Sequence, residues 1–344
     1  MINYLDYTIK IFEDLVKIPS PTGDTGFAVD YLAHLLKEMG IKTDFTKKNA
    51  IIATIPGRVR EKNKVISAHV DTLGGMIKEI KSNGRLKISQ IGSFSWNSIE
   101  GENCIIFNSS GKRFTGTILF NKSSVHNYGS IPKEEKRTED NMEIRIDEYV
   151  KNKEDVEKLG INVGDFICFE PRTNITSNGF IKSRFIDDKL CVAIIIGTLK
   201  SIIENKVLPK YDIKILISNY EEVGHGASWI PENAFQILAV DMGSTGEGQN
   251  SDEYSVSICA KDSSGPYDLY MKKRLVELAN KNKIDYKIDI YNYYGSDAGA
   301  ALKAGHEVQH GLIGPGVDAS HTYERTHKES VLNTMKLLEA YIKD

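Results

Sequence analysis

The chain has 344 residues, 44 Lys and Arg against 47 Asp and Glu, a formal net charge of -3, and 40% hydrophobic residues. A balance this close to neutral leaves no basic footprint for nucleic acid or an anionic membrane surface, and the length predicts two domains rather than one core. The four cysteines, Cys104, Cys168, Cys191 and Cys259, form no C-x-x-C pair, which argues against a zinc ribbon and a disulfide framework.

The first segment places Leu5, Ile9, Phe12 and Val16 on one face of an amphipathic helix that ends at "PSPTGD". It lacks the basic start and small-residue cleavage site of a leader, and no apolar run is long enough to span a bilayer, so the expected setting is cytoplasmic. "GFAVDYLAHLLKEMG" predicts a second helix; "KTDFTKK", "AIIATIPG" and "VISAHV" predict strands, the last one buried. After Gly75 the texture changes to short strands, many glycines and no strong helix, with "CIIFNSSGKRFTGTILF" as a hairpin. The run "KEEKRTEDNMEIRIDEY" suits a solvated loop leading into a strand. From Ile181 the α/β pattern resumes: "KLCVAIIIGTLKSIIEN" as a buried helix, "YDIKILISNY" and "FQILAVDMG" as strands, then a helix, two strands and a last helix. That helix is expected to open on a capping box of Thr326 and Glu329 and to bury Val331, Met335, Leu338 and Ile342. Residues 1–74 and 177–344 are thus expected to form a three-layer α/β domain, a central mixed sheet flanked by helices, interrupted by an all-β insert at 75–176.

Ionisable residues gather just past the carboxyl ends of the predicted buried strands. His69 and Asp71 end one, Glu221 and Glu222 follow another, Asp241 a third, and His321 lies in the loop after a fourth. Asp187 and Asp188 stand at the start of the buried helix. That edge of an open α/β sheet is where ligands bind. Singly, each residue also suits an ordinary strand end or helix start; the co-occurrence carries the argument. Histidines and carboxylates without cysteine suit zinc, manganese or cobalt. Crowded carboxylates need compensating positive charge, and with only Arg184 and Lys189 nearby, two dications would balance them best.

The segments "SAHVDTLG", "FIDDK", "YEEVGHGA", "AVDMG", "YGSDAGAA" and "DASHTYE" occur in the order found in the tetrahedral aminopeptidases, and the chain resembles that family over nearly its whole length. The group includes glutamyl and deblocking aminopeptidases and relatives once labelled endoglucanases. The resemblance implies two divalent ions per chain, zinc foremost, with cobalt or manganese as alternatives. It implies that His69 and Asp241 bind one metal, that Glu222 and His321 bind the other, and that Asp187 bridges them. Asp71 would orient His69 through its other ring nitrogen, and Glu221 would be the general base that activates water against the scissile carbonyl. The implied substrates are oligopeptides with a free amino terminus. The insert would serve dimerisation within a homo-oligomer, up to a hollow dodecamer. Lys189 stands where relatives usually carry arginine, and Tyr220 where glutamine is common. The turn after the glutamate pair is one residue shorter and carries His225. These departures bear on subsite shape, with Tyr294 to Ala300 as the expected pocket lining and His225 either beside it or structural. The alternative activity is a two-metal deacylase or amidohydrolase acting on small amides. A non-catalytic scaffold would not need the complete set, and a glycosidase leaves the histidines without a purpose.

Overall fold

The computed structural model describes residues 1–344. It separates into two compact units, Met1–Asp71 with Arg172–Asp344, and Thr72–Pro171. In the first unit the helices are α1 (Ile2–Leu15) and α2 (Gly26–Glu38), and the strands before the insert are β1 (Thr43–Phe45), β2 (Ile51–Ile55) and β3 (Val59–His69). The second unit holds β4 (Gly74–Ile80), β5 (Leu86–Ile91), β6 (Asn103–Phe107), β7 (Arg113–Phe120), α3 (Val125–Tyr128), α4 (Ile131–Glu134), β8 (Met142–Ile146), α5 (Lys153–Lys158) and β9 (Phe166–Phe169). The first unit resumes with β10 (Asn174–Ile175), β11 (Phe180–Ser183), α6 (Ile186–Glu204), β12 (Tyr211–Ser218), β13 (Ala234–Val240), β14 (Gly243–Ser244), β15 (Val256–Asp262) and β16 (Gly265–Pro266). It closes with α7 (Leu269–Lys281), β17 (Tyr286–Ile290), α8 (Asp297–Lys303), β18 (Gln309–Val317), β19 (Glu324–His327) and α9 (Lys328–Lys343).

The large sheet runs β1-β2-β12-β3-β13-β18-β15-β16, with β14 paired to β18 and β17 to β15. Its centre is parallel: β12 and β13 both pair with β3, and β18 with β13. Parallel strands are covered on both faces, which is why their sequences read as near-continuous apolar runs. On one face Val65, Leu216, Ile237 and Leu312 pack with Ala298 and Ala301 of α8. The other face carries α6, buried almost throughout its first four turns, with α1 and α9 against it. These helices approach closely at Gly197, where a Cβ would lie 1.9 Å from Thr8 Oγ1. The mixed three-layer architecture agrees with the sequence.

The second unit is a closed six-stranded barrel, β4-β5-β8-β7-β6-β9. Alternate residues point inward, so Ile88, Ile106, Ile118, Ile144 and Ile167 are fully buried. Its helices are short, four to six residues each. The charge run read as loop begins with the last turn of α4 before it opens toward β8.

Three details differ from the sequence expectations. β3 starts at Val59, which pairs with Tyr211 of β12, and the ladder is irregular from there to Asn63. The capping box of α9 is absent. His327 occupies the cap position and its Nδ1 accepts from Glu329 N at 3.2 Å, while Thr326 belongs to β19 and donates to Gly316 O at 2.6 Å. The β19 hairpin arm claims Thr326 before the helix can use it. "YGSDAGA" is a helix start, with Ser296 Oγ accepting from Gly299 N at 3.3 Å as the cap of α8.

Candidate active site

Parallel register brings the strand ends level. His69 pairs opposite Ser218, so the turn after β12 emerges beside the end of β3, and Asp241 follows β13 on the other side. His69 is 1% exposed. Its Nε2 lies 3.2 Å from Asp187 Oδ1 and 3.6 Å from Glu221 Oε2. Asp187 reaches the cluster because the first residues of α6 depart from helical dihedrals. Its second oxygen, Oδ2, lies 3.3 Å from His321 Nε2, so one carboxylate faces both imidazoles. His321 Nε2 is also 3.6 Å from Glu222 Oε2. His69, Asp187 and Asp241 each offer a ligand atom within 4.8 Å of the others, a triad that could hold a metal ion. Asp241 is fixed by Met242 N, which donates to Oδ1 at 2.7 Å.

Asp71 faces the second ring nitrogen of His69 with its main chain. Its main-chain carbonyl is 2.9 Å from His69 Nδ1, while its carboxylate is 3.7 Å away. The carboxylate instead accepts from Thr22 Oγ1 at 2.7 Å and from the amides of Glu221 and Glu222 at 3.2 and 3.3 Å. Asp71 thus fixes the imidazole with its backbone and the glutamate pair with its side chain. Asp188 points the other way, its Oδ2 accepting from His69 N at 3.1 Å.

Glu324 belongs to the site although no role was expected for it. Its two oxygens accept from His321 N at 3.0 Å and from Asp187 N at 3.1 Å, tying the two segments together. It lies in the quoted segment "DASHTYE", and the only signal for it was a carboxylate three residues after the loop histidine. Burial raises its pKa to about 8. His225 is exposed and stacks on the Tyr220 ring at 5.1 Å between centroids. Lys48 Nζ donates to Gly226 O at 3.0 Å and to Ser228 Oγ at 2.9 Å, holding the same turn.

The electrostatics show an excess of acid. Burial pushes Glu222 up to about 8 and Asp241 up to about 7, and raises Glu221 well above the carboxylate range. Burial opposes charge on His69, but Glu221, Asp187, Asp188 and Asp71 outweigh it and hold its pKa well above the usual histidine value. Burial would also raise Asp187, yet the two histidines prevail and lower it. Lys189 Nζ donates to Leu15 O and Ile18 O. Glu222 Oε1 is buried without a hydrogen-bond partner. An orphaned carboxylate oxygen among protonation-prone neighbours fits a group that brings positive charge and open coordination, so the residues suit divalent metal.

The cluster opens into a cavity of about 470 Å³ lined by Asp187, Glu221, Glu222, Asp241 and, on its far wall, Tyr294, Gly295, Ser296 and Ala300. Tyr294 Oη donates to Met242 O at 2.9 Å, which fixes that wall to the turn carrying Asp241.

Comparison with known proteins gives concordant results. The pattern that defines the M42 glutamyl aminopeptidase family matches residues 49–337. YhfE of Bacillus subtilis (strain 168), whose name places it provisionally among the aminopeptidases, is 54% identical over 336 residues, 97% of each chain. The TET aminopeptidase of a Thaumarchaeota archaeon from marine sediment superimposes with a TM-score of 0.88 at 15% identity, over 98% of this chain and 97% of that one. The Pyrococcus horikoshii TET1 peptidase, which can assemble into a tetrahedron or a large octahedral shell, gives 0.86 at 19% identity over 97% and 99%.

Proposed function

The chain belongs to the M42 glutamyl aminopeptidase family, and from that premise we propose that it removes amino-terminal residues from oligopeptides at a two-metal site, with Glu221 as general base. The observation that carries this is Asp187, one oxygen toward His69 and the other toward His321. His69 and Asp241 would hold one ion, Glu222 and His321 the other, and Asp187 both; zinc suits the set, as do cobalt and manganese. Divalent ions bound there supply Lewis-acid polarisation of the scissile carbonyl and a lowered pKa for water.

The chain's own residues supply the proton traffic. Glu221 Oε2 lies beside His69 Nε2, and the Asp71 carboxylate holds the amides of the glutamate pair so that the two side chains take different roles. The Glu221 carboxylate would take a proton from the attacking water as its oxygen bonds to the carbonyl carbon. It would return that proton to the amine nitrogen as the C–N bond breaks. The far wall from Tyr294 to Ala300 would receive the side chain of the residue released. The barrel unit would dimerise within a homo-oligomer, up to a dodecamer. Exposed Val125, Tyr128 and Ile131 on α3 and α4 support that role, as does the shell formed by the Pyrococcus horikoshii protein.

The test is hydrolysis of a panel of aminoacyl p-nitroanilides and their N-acetylated counterparts, before and after chelation, with zinc, cobalt and manganese added back. Free-amine substrates should be cleaved, activity should vanish with chelator and return with metal. Glu221→Gln should lower kcat by about 10²–10⁴-fold while the metal content is retained. Cleavage confined to the N-acetylated set would overturn the aminopeptidase assignment, and near-normal turnover by Glu221→Gln would overturn the base.

A further inference from the structure

A second cavity, of about 400 Å³, lies at the opposite ends of the strands that carry the site. Lys64, five positions before His69 on β3, lines it together with Lys210, Tyr211 at the start of β12, Tyr270, Arg274 on α7 and Tyr341 near the end of α9. Five residues of strand put it roughly 17 Å from His69, so it is a separate place.

Its lining carries three cationic side chains, Lys64, Lys210 and Arg274, and one acidic side chain, Asp344. Arg274 takes the Asp344 carboxylate with Nε at 2.9 Å and a second contact from Nη2. Neither Lys64 nor Lys210 makes a close ion pair with it, although the Asp344 carboxylate acts on both at longer range. Lys210 is exposed at the rim, its Nζ 5.0 Å from the Tyr211 ring centroid. Lys64 is only 3% exposed. Its Nζ donates to Tyr341 O at 3.1 Å and sits 4.2 Å from the Tyr341 ring centroid. One carbonyl engages one of three ammonium donors. Burial lowers its pKa to about 8, with Asp344 opposing and Lys210 and Arg274 adding to the depression. An ammonium is costly to bury unless it is paired. Packing alone would favour methionine or leucine at this position, and capping the Tyr341 carbonyl would not call for a second lysine and three tyrosine rings around open space.

We propose that this cavity binds a small organic anion, with Lys64 and Lys210 on its carboxylate or phosphate and the rings of Tyr211, Tyr270 and Tyr341 against its apolar body. Charge selects the head group and the aromatic wall selects the body. Nothing in the proposal draws on the metal cluster, so it stands independently of the activity assigned above.

Titration calorimetry on the metal-loaded protein tests it with four probes: benzoate, phenyl phosphate, inorganic phosphate and neutral benzyl alcohol. At least one of the two aromatic anions should bind, about tenfold or more tighter than benzyl alcohol and than inorganic phosphate. The tighter of the two identifies the head group. Lys64→Met and Lys210→Met should each weaken that binding about tenfold. Lys210 is exposed, so its variant folds even where Lys64→Met does not, and both leave the catalytic cluster untouched. Absence of anion binding would overturn the proposal. So would affinity unchanged in Lys210→Met, which would place the anion elsewhere, or inorganic phosphate binding as well as phenyl phosphate.

Discussion

A carboxylate placed between two imidazoles is a demanding thing to hold in a protein interior, and Asp187 is 6% exposed there. Its two oxygens are already divided between His69 and His321, so replacement by asparagine removes the charge and turns one contact into a donor facing a donor. Asp187→Asn should therefore lose both metals together, with activity, in elemental analysis of the purified variant. Retention of one full equivalent would sink the bridging role. At this scale the sequence shows unevenly what each residue does. An apolar strand ending in His-x-Asp draws the eye to His69, since packing has no use for it there. The spacing of His69 and Asp71 says that they meet. It does not say that the carbonyl of Asp71 meets the ring while its carboxylate turns to the next strand's amides. That choice depends on the direction of the backbone at the strand end, which residue identity does not encode. Glu324 is invisible for a related reason, because it acts on main-chain amides and not on side chains.

The element that carries the glutamates is the turn from Tyr220 to Ser228, and it is held from three sides. The Asp71 carboxylate takes its amides and Lys48 its carbonyls and a hydroxyl. Beneath it Asp297 accepts from Ser218 Oγ at 2.5 Å and from Ala227 N at 2.8 Å. Gly226 lies against this support: a Cβ there would be 2.3 Å from Asp297 Oδ1, 3.0 Å from Ser218 Oγ and 3.1 Å from Glu221 Cα. Gly226→Ala should thus move the Glu221 turn, lowering kcat/KM by roughly 10²-fold, as misplacement of a positioned group does. It should also cost about 1–3 kcal/mol in urea unfolding. Unchanged kinetics would mean that the turn does not depend on this support. Among elements, the long apolar strands and helices are legible because their periodicity reports burial directly. The short pieces are not. β14, β16 and β19 span two to four residues, and Thr326 shows how a partner distant in sequence, Gly316, overrides a local capping pattern.

Over the whole molecule the charges nearly cancel, at -3, yet the candidate site concentrates acid in the interior, and that sets how the metal-free protein should respond to pH. Glu222 and Glu324 are raised to about 8 and Asp241 to about 7, and His69 also lies well above its ordinary value. Unfolded carboxylates titrate near 4 and histidine near 6.5. Between about pH 4 and pH 8 the folded metal-free chain therefore binds more protons than the unfolded one. Stability falls as pH rises wherever the folded state holds the excess, by about 1.4 kcal/mol per proton per pH unit. Asp187, lowered, acts in the opposite sense, but only below its ordinary range. Chelated protein should accordingly unfold at lower urea at pH 8.5 than at pH 5.5, the reverse of ordinary acid denaturation. Metal-loaded protein should lose this slope, because bound dications replace the protons as counter-charge. Urea midpoints at pH 5.5, 7 and 8.5, with and without chelator, measure both curves at once. A chelated protein that gained stability toward pH 8.5 would show that these carboxylates are not crowded as the geometry has them. Equal slopes with and without metal would show that the ions bind somewhere else.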